Sequence, residues 1–276
     1  MVSRESPPAD ELKNMARTIR GRVIEMSHRG KTAHLGGALS VVDILVAAYW
    51  GVLSLDPKDP SAPNRDRFIF SKGHAISAFY ATLAYRGFFP TNLLDTFAVP
   101  GGSLPEHPSP SCVPGLEVAT GSLGHGLSVG LGMSWAARLQ GRRSRVFVVI
   151  SDGEANEGSV WEAALLAPAL KLGNLAVIVD YNKWQATGRS HEIMTMNPLK
   201  EKWQAFGWNA VDVDGHNVAA LIDAMSRVPD PAGKPLAVVA HTVKGKGVSF
   251  MEDDNNWHYR IPTEEEVRKS KVELEL

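Results

Sequence analysis

Cysteine is nearly absent: the 276 residues contain one, Cys112, so no intrachain disulfide can form and a disulfide-stapled scaffold is excluded. An excess of either charge is missing as well. Lys and Arg number 29 against 30 Asp and Glu, a net of −1 that leaves no positive field to draw in a polyphosphate backbone, so nucleic acid is not expected as a partner. No apolar run reaches the roughly 20 residues of a bilayer span. The longest, ALSVVDILVAAYWGVLSL, contains Asp43 and lies between Gly36-Gly37 and Pro57, which makes it a buried helix and leaves no membrane to expect. The opening MVSRESPPADELKN has no apolar core followed by a small-residue cleavage site, and the expected location is the cytoplasm. What is present is 44% hydrophobic residues with 25 Gly and 17 Pro, the composition of a loop-punctuated globule. No linker or repeat divides it, so one domain over 1–276 is expected, with a helical N-terminal segment and loosely held ends at the first ten residues and at KSKVELEL.

Hydrophobic spacing gives the order of elements. Leu12, Met15, Ala16, Ile19, Val23 and Met26 recur at helical intervals before Gly30, and a second helix over Ala38–Trp50 is apolar on nearly every side, as suits the deep interior or a subunit contact. RFIFS, RVFVVIS, NLAVIVD, WNAVDVD and PLAVVAHTV are short runs rich in Val, Ile and Phe that read as buried parallel strands. Helices predicted over His74–Tyr85, Leu123–Leu139, Gly158–Leu172, Pro198–Phe206 and Asn217–Val228 alternate with them. The expected fold is α/β, a doubly wound, mostly parallel sheet with helices on both faces.

Ligands of such sheets sit beyond the carboxyl ends of the strands. Asp152-Gly153 follows RVFVVIS, and Asn182 follows NLAVIVD one crossover unit later, so adjacent strands would bring the two side chains together. A carboxylate, an amide oxygen and a nearby carbonyl such as that of Trp184 make a hard oxygen set for magnesium or calcium. Gly153 and Gly158 would let the main chain approach an anion at a helix N-terminus. Taken alone, Asp152-Gly153 reads first as an ordinary turn and Asn182 as a strand-end cap; the pairing one crossover apart is what points to a metal.

SDGEANEGSVWEAALLAPALKLGNLAVIVDYNKWQATG resembles the thiamine diphosphate motif, an Asp-Gly followed one βα unit later by an Asn. NRDRFIFSKGHAISAFYATLAYRG, LPEHPSPSCVPGLEVATGSLGHGLSVGLGM and HTVKGKGVSFMEDDNNWH resemble the N-terminal, pyrophosphate-binding half of transketolase, in the family's order from about Leu12 to Pro262. The resemblance implies thiamine diphosphate and Mg2+ as cofactors, with Ca2+ or Mn2+ as substitutes. It assigns Asp152, Asn182 and the Trp184 carbonyl to the metal, and the Gly153 N–H and His74 to the diphosphate. Gly121 and Leu123 fall to the aminopyrimidine and the bend of the cofactor, and Glu157 to a subunit contact beside it. His34, His107 and His258 fall on the substrate side, where imidazoles can bond hydroxyls and move protons.

The remaining histidines are weaker candidates. His28, His191 and His216 stand in no motif, while His125 and His241 fit a ligand contact or a local bond equally; Gly124, Gly126, Gly130 and Gly132 read as both packing and ligand glycines. Lys244 and Lys246 read as solvated and stay off the site. TAHLGG and Tyr259 after His258 depart from the common transketolase pattern, which bears on the substrate. The resemblance also implies a second domain that binds the pyrimidine and supplies an activating glutamate, for which these residues leave no room. The implied function is therefore two-carbon ketol transfer from a ketose phosphate to an aldose by the N-terminal subunit of a two-chain transketolase, working with a C-terminal subunit in a hetero-oligomer of two copies of each. A deoxyxylulose-phosphate-type synthase and a non-catalytic cofactor-binding module are the alternatives, and a nicotinamide-binding protein is disfavoured because no Gly-x-Gly-x-x-Gly turn follows the first strand.

Overall fold

A computed structural model describes residues 7–109 and 112–276. Helix α1, Ala9–Gly30, buries the stripe Leu12, Ala16, Ile19 and Val23, carries Asp10 and Glu11 in its first turn and His28 and Arg29 in its last, and stops where Lys31 turns left-handed at φ 53°. That charge order complements the helix dipole. The apolar run then breaks into α2 (Leu35–Ser40), α3 (Val42–Val46) and a π turn over Ala47–Val52, rather than the single predicted helix. Ser40 marks the break, its hydroxyl donating to the Asp180 carboxylate at 2.7 Å and lying 3.2 Å from the Gly37 carbonyl, the competition by which serine weakens a helix interior. Ala38–Tyr49 is buried within this chain, which rules out the alternative of a subunit contact there.

The remaining elements are β1 (Arg67–Phe70), α4 (Ile76–Arg86), α5 (His125–Leu139), β2 (Val146–Ser151), α6 (Gly158–Ala169), β3 (Leu175–Tyr181), α7 (Ser190–Ile193), α8 (Leu199–Ala205), β4 (Asn209–Asp214), α9 (Val218–Met225), β5 (Leu236–His241) and α10 (Glu264–Glu273). The five strands are all parallel, in the order β1-β2-β3-β5-β4. Alternation along each strand feeds two separate cores. Phe147, Val149, Ala176 and Ile178 face α1–α4 and α9; Val148, Ile150, Val177 and Val179 face Leu127 and Leu131 of α5, Ala164 of α6 and Trp203 of α8. Helices therefore cover both faces, as the strand runs predicted.

Helices α6 and α9 stop three residues short of their predicted ends at Leu172 and Val228, and two helix starts differ for a local reason. The helix expected from Leu123 starts at His125 because Gly124 sits at φ 86°, and the one expected from His74 starts at Ile76 after a 3-10 turn over Gly73–Ala75. The C-terminal segment is not loose. Thr263 and Glu266 form a reciprocal capping box at the start of α10, and Leu274 just beyond it is buried. Of the first ten residues, 1–6 lie outside the described residues, and Ala9 and Asp10 are already helical. Among the described residues no helix is long and apolar enough to cross a membrane.

Candidate functional site

Because β2, β3 and β5 are neighbours, the loops leaving their carboxyl ends meet. With the loops after β1 and before α5, they enclose a cleft of about 450 Å³ lined by His34, His74, His107, Gly121, Leu123, Gly153, Glu157, Asn182, Trp184 and His258. Every residue that the resemblance assigned to cofactor, metal or substrate lines it except Asp152, whereas Gly124, Gly126, Gly130, Gly132 and Gly158 do not. That aspartate is fully buried, although its chain neighbours Ser151 and Gly153 reach the cleft.

Three imidazoles form one end. His34 and His258 lie 4.9 Å apart, edge to face, and His34 and His74 are 5.6 Å apart. His34 is left-handed at φ 66° immediately before α2, a conformation uncommon for a residue with a side chain. Its N–H donates to the His258 carbonyl at 2.9 Å, while its Nδ1 is buried without a hydrogen-bond partner, 4.0 Å from the Glu106 carboxylate. Burial lowers the pKa of His34, and Glu106 opposes the shift. His74 is held well below the usual imidazole range by burial and the charge of Lys72. His258 is pushed down to about 3 by burial and by Lys244. The three rings are thus neutral near pH 7, able to donate from one nitrogen and accept at the other. His107 packs on the loop before α5, where Gly121 adopts φ 141° and a Cβ would fall 2.7 Å from the His107 ring.

Behind the lining, Asp152 accepts from the Ser190 hydroxyl at 2.7 Å and from the Gly153 N–H at 3.0 Å. Burial raises its pKa to about 6 against those hydrogen bonds. On the adjoining strand end, nearly buried Asn182 accepts the Trp184 N–H at 3.1 Å on Oδ1. A buried carboxylate bonded only to neutral donors, with an amide at the neighbouring strand end, fits a hard divalent cation better than a soft one. Among the described residues no three His, Cys, Asp or Glu side chains gather into a metal cluster, so any cation here would draw on amide and carbonyl oxygens.

Trp184 is held from outside the cleft. Its indole N–H donates to Asp253 at 2.8 Å, and Arg189 both stacks on the ring at 3.8 Å and pairs with Asp253 through two nitrogens. Tyr259 and Asn255 each donate to the Ala186 carbonyl, at 3.1 Å. The 182–190 loop is thereby tied to the segment carrying His258. Glu157 stands exposed at the start of α6.

Several polar residues of the site were not anticipated. Lys244 is buried, lines the cleft, donates to Asn255 at 2.7 Å and lies 3.3 Å from His258 Nδ1, so reading it as solvated was incorrect; burial lowers its pKa to about 8. Lys246 pairs with Glu252. Lys72 and Asp180, both fully buried, form an ion pair into which Ser40 and Thr242 also donate. Glu154, fully buried, accepts from Ser71 and from the Gly124 N–H, and burial raises its pKa. Gln185 lines the cleft with a buried, unpartnered amide nitrogen. The available signal was position, since Lys72, Asp180 and Lys244 all stand at or just past strand ends.

The other histidines stay outside the cleft. His28 bonds the Pro262 carbonyl, His125 the Leu123 carbonyl, and His241 Asp212; His191 is exposed. His216 binds Asp43 through Nδ1 at 2.7 Å and accepts the Val243 N–H on Nε2 at 2.9 Å, which fixes its tautomer.

Residues 11–276 match the family model described as transketolase, thiamine diphosphate binding domain. The chain is 39% identical over 265 residues to the 6-deoxy-6-sulfo-D-fructose transketolase subunit of Clostridium sp. (strain MSTE9), covering 96% of each chain. It is 40% identical over 266 residues to an apulose-4-phosphate transketolase subunit of Actinobacillus succinogenes, again with 96% of each covered. Its fold superimposes on transketolase from Campylobacter jejuni with a TM-score of 0.91 at 27% identity, over 98% of this chain and 43% of that one. The motifs at the strand ends, the parallel sheet that gathers them, and a family match running through all of them together place this chain in the transketolase thiamine diphosphate-binding family.

Proposed function

We propose that this chain is the diphosphate-binding subunit of a two-chain transketolase, which uses thiamine diphosphate and Mg2+ to move a two-carbon ketol unit from a ketose phosphate to an aldose. The observation that carries this reading is the cleft itself, lined by His34, His74, His258 and Asn182, with the buried Asp152 carboxylate at the neighbouring strand end. Asp152, Asn182 and the Trp184 carbonyl would hold the metal, with Ca2+ or Mn2+ as substitutes of the same oxygen chemistry. His74 and the Gly153 N–H, which in this structure donates to Asp152, would take the diphosphate, and Gly121 and Leu123 the ring end. When bound, thiamine diphosphate supplies the carbon nucleophile and electron sink for breaking and remaking the carbon–carbon bond.

His34, His107 and His258 hold the sugar hydroxyls and carry protons to and from the carbonyl oxygen, a task for which a neutral imidazole carries both a donor and an acceptor. The chain acts as one domain. Its partner is a C-terminal subunit carrying the pyrimidine-binding domain, in an assembly of two copies of each; relatives named as transketolase subunits are matched almost end to end, whereas under half of the Campylobacter transketolase is. Trp135 and Leu139 of α5 and Leu165 and Leu166 of α6 leave apolar surface exposed in the layer that begins at Gly124 and Glu157, and we assign that layer to the partner. Contact of this kind buries upwards of ~2,000 Å² in obligate complexes.

The test is to express the chain with and without its candidate partner, then assay ketol transfer and measure the mass of the assembly. Activity is expected only from the mixed complex. Full turnover by this chain alone would overturn the reading.

A further inference from the structure

Glu154 opens the 3-10 turn after β2, and its carboxylate is fully buried. Among the described residues no cation pairs with it. A carboxylate so far from water needs donors, and it has two: the Ser71 hydroxyl and the Gly124 N–H, the latter at 2.9 Å, both on Oε1. Oε2 is buried without a partner, so the polar role of this side chain runs through one oxygen.

The bond to Gly124 belongs to a larger clasp. Ser159, five residues on, donates to the Gly124 carbonyl at 2.9 Å, so the 154–159 segment grips both the N–H and the C=O of one residue. Neither Gly124, against the side chains of this segment, nor Gly73, against the Gly121 backbone, has room for a side chain. A Cβ at Gly124 would lie 2.5 Å from Ser159 Oγ and 2.7 Å from Glu157 Cβ, and one at Gly73 would lie 2.5 Å from the Gly121 nitrogen. Through Ser71 the same carboxylate reaches the end of β1. Glu154 therefore stands where three loops of the cleft meet.

This inference rests on the cofactor reading given above. We infer that Glu154 is a positioning residue that sets the loop Gly121–Gly124, which would take the ring end of the cofactor, at a fixed distance from the Asp152–Gly153 turn, which would take the metal and diphosphate. A ligand bridging both gains from that spacing because neither loop has to be ordered when it binds. A ligand reaching only the second loop gains nothing from it.

Two probes separate these cases, each titrated with Mg2+ by calorimetry into the full chain assembled with its partner subunit: thiamine diphosphate, which spans both loops, and inorganic diphosphate, which does not. Glu154→Ala is expected to weaken thiamine diphosphate about tenfold, the worth of one buried hydrogen bond, and to leave inorganic diphosphate within about twofold. Glu154→Gln keeps the Oε1 acceptor and is expected to bind both probes as the unaltered chain does. Parallel loss of both probes in the Ala variant, unchanged thiamine diphosphate binding in it, or loss of thiamine diphosphate in the Gln variant would each overturn the inference. An unaltered chain that binds neither probe in that assembly would overturn the cofactor reading and this inference with it.

Discussion

The backbone N–H of His34 donates to the carbonyl of His258 at 2.9 Å, pinning the start of α2 to the segment beyond β5. Two imidazoles that we propose for the substrate side are thus set by a main-chain bond, and side-chain substitutions at either should leave the other in place.

Changing His34 or His107 to Ala is accordingly expected to lower turnover by ~10²–10⁴-fold, the range for a lost acid–base or oxyanion partner, with thiamine diphosphate affinity little altered. Steady-state kinetics of the complex beside calorimetry of the variants would check this. Undiminished activity in both variants would make these histidines structural.

Acid should act through His258. Its folded pKa of about 3 lies below the ordinary value of 6.5, so the unfolded chain takes up the proton first. The stability due to the neutral ring is then complete above pH 6.5 and is lost as pH falls from there towards 3. His34 and His74 shift in the same direction. Urea midpoints followed across that window should fall less steeply for His258→Asn than for the unaltered chain; identical slopes would contradict the assignment.

Lys244 reports on the alkaline side. Burial lowers its pKa from 10.5 to about 8, so the folded chain releases this proton before the unfolded chain does, and the cost of burying the ammonium is fully present below pH 8. Relative to Lys244→Met, the unaltered chain should gain on the order of 3 kcal/mol of stability between the two pKa values. Unfolding free energies of both proteins through that interval decide it, and a constant difference would count against the buried charge.

Asp152 carries the metal prediction. Asp152→Asn is expected to abolish Mg2+-dependent binding of thiamine diphosphate while leaving the metal-free chain at least as stable, because the aspartate is fully buried and its two direct partners are neutral. Calorimetry and thermal unfolding measure the two effects. Retained metal-dependent affinity would remove Asp152 from the metal site.

What the sequence disclosed was local chemistry at strand ends. Asp152-Gly153, Asn182 and SKGHA are short motifs whose neighbours in sequence are also neighbours in space, and the strand runs around them alternate cleanly enough to place the sheet. The polar clasps were hidden because their partners lie far along the chain: Glu154 meets Ser71 across 83 positions, and Lys72 meets Asp180 across 108. Lys244 was misjudged for a related reason, since a lysine in a glycine loop gives no local sign that Asn255 and His258 will enclose it. The capping box of α10 was legible in Thr263 and Glu266, but the charged run that follows obscured it. Breakage of the apolar helix at Ser40 depended on Asp180, which no periodicity at that point could reveal.

Lys72 and Asp180 also restrict the histories open to this sequence. Each charge is sealed from water, with the other as its ion partner, so replacing either alone would strand the survivor at a cost of about 3–5 kcal/mol, a large part of the whole stability of an ordinary domain. Ser40 and Thr242 direct their hydroxyls at the same carboxylate, which means that a change at Asp180 is felt at once on α2, past β1 and past β5. Descendants of this chain are therefore expected to keep the four together or to exchange them as a set, and the pair should change more slowly across diverging lineages than the exposed residues at the rim of the cleft it supports.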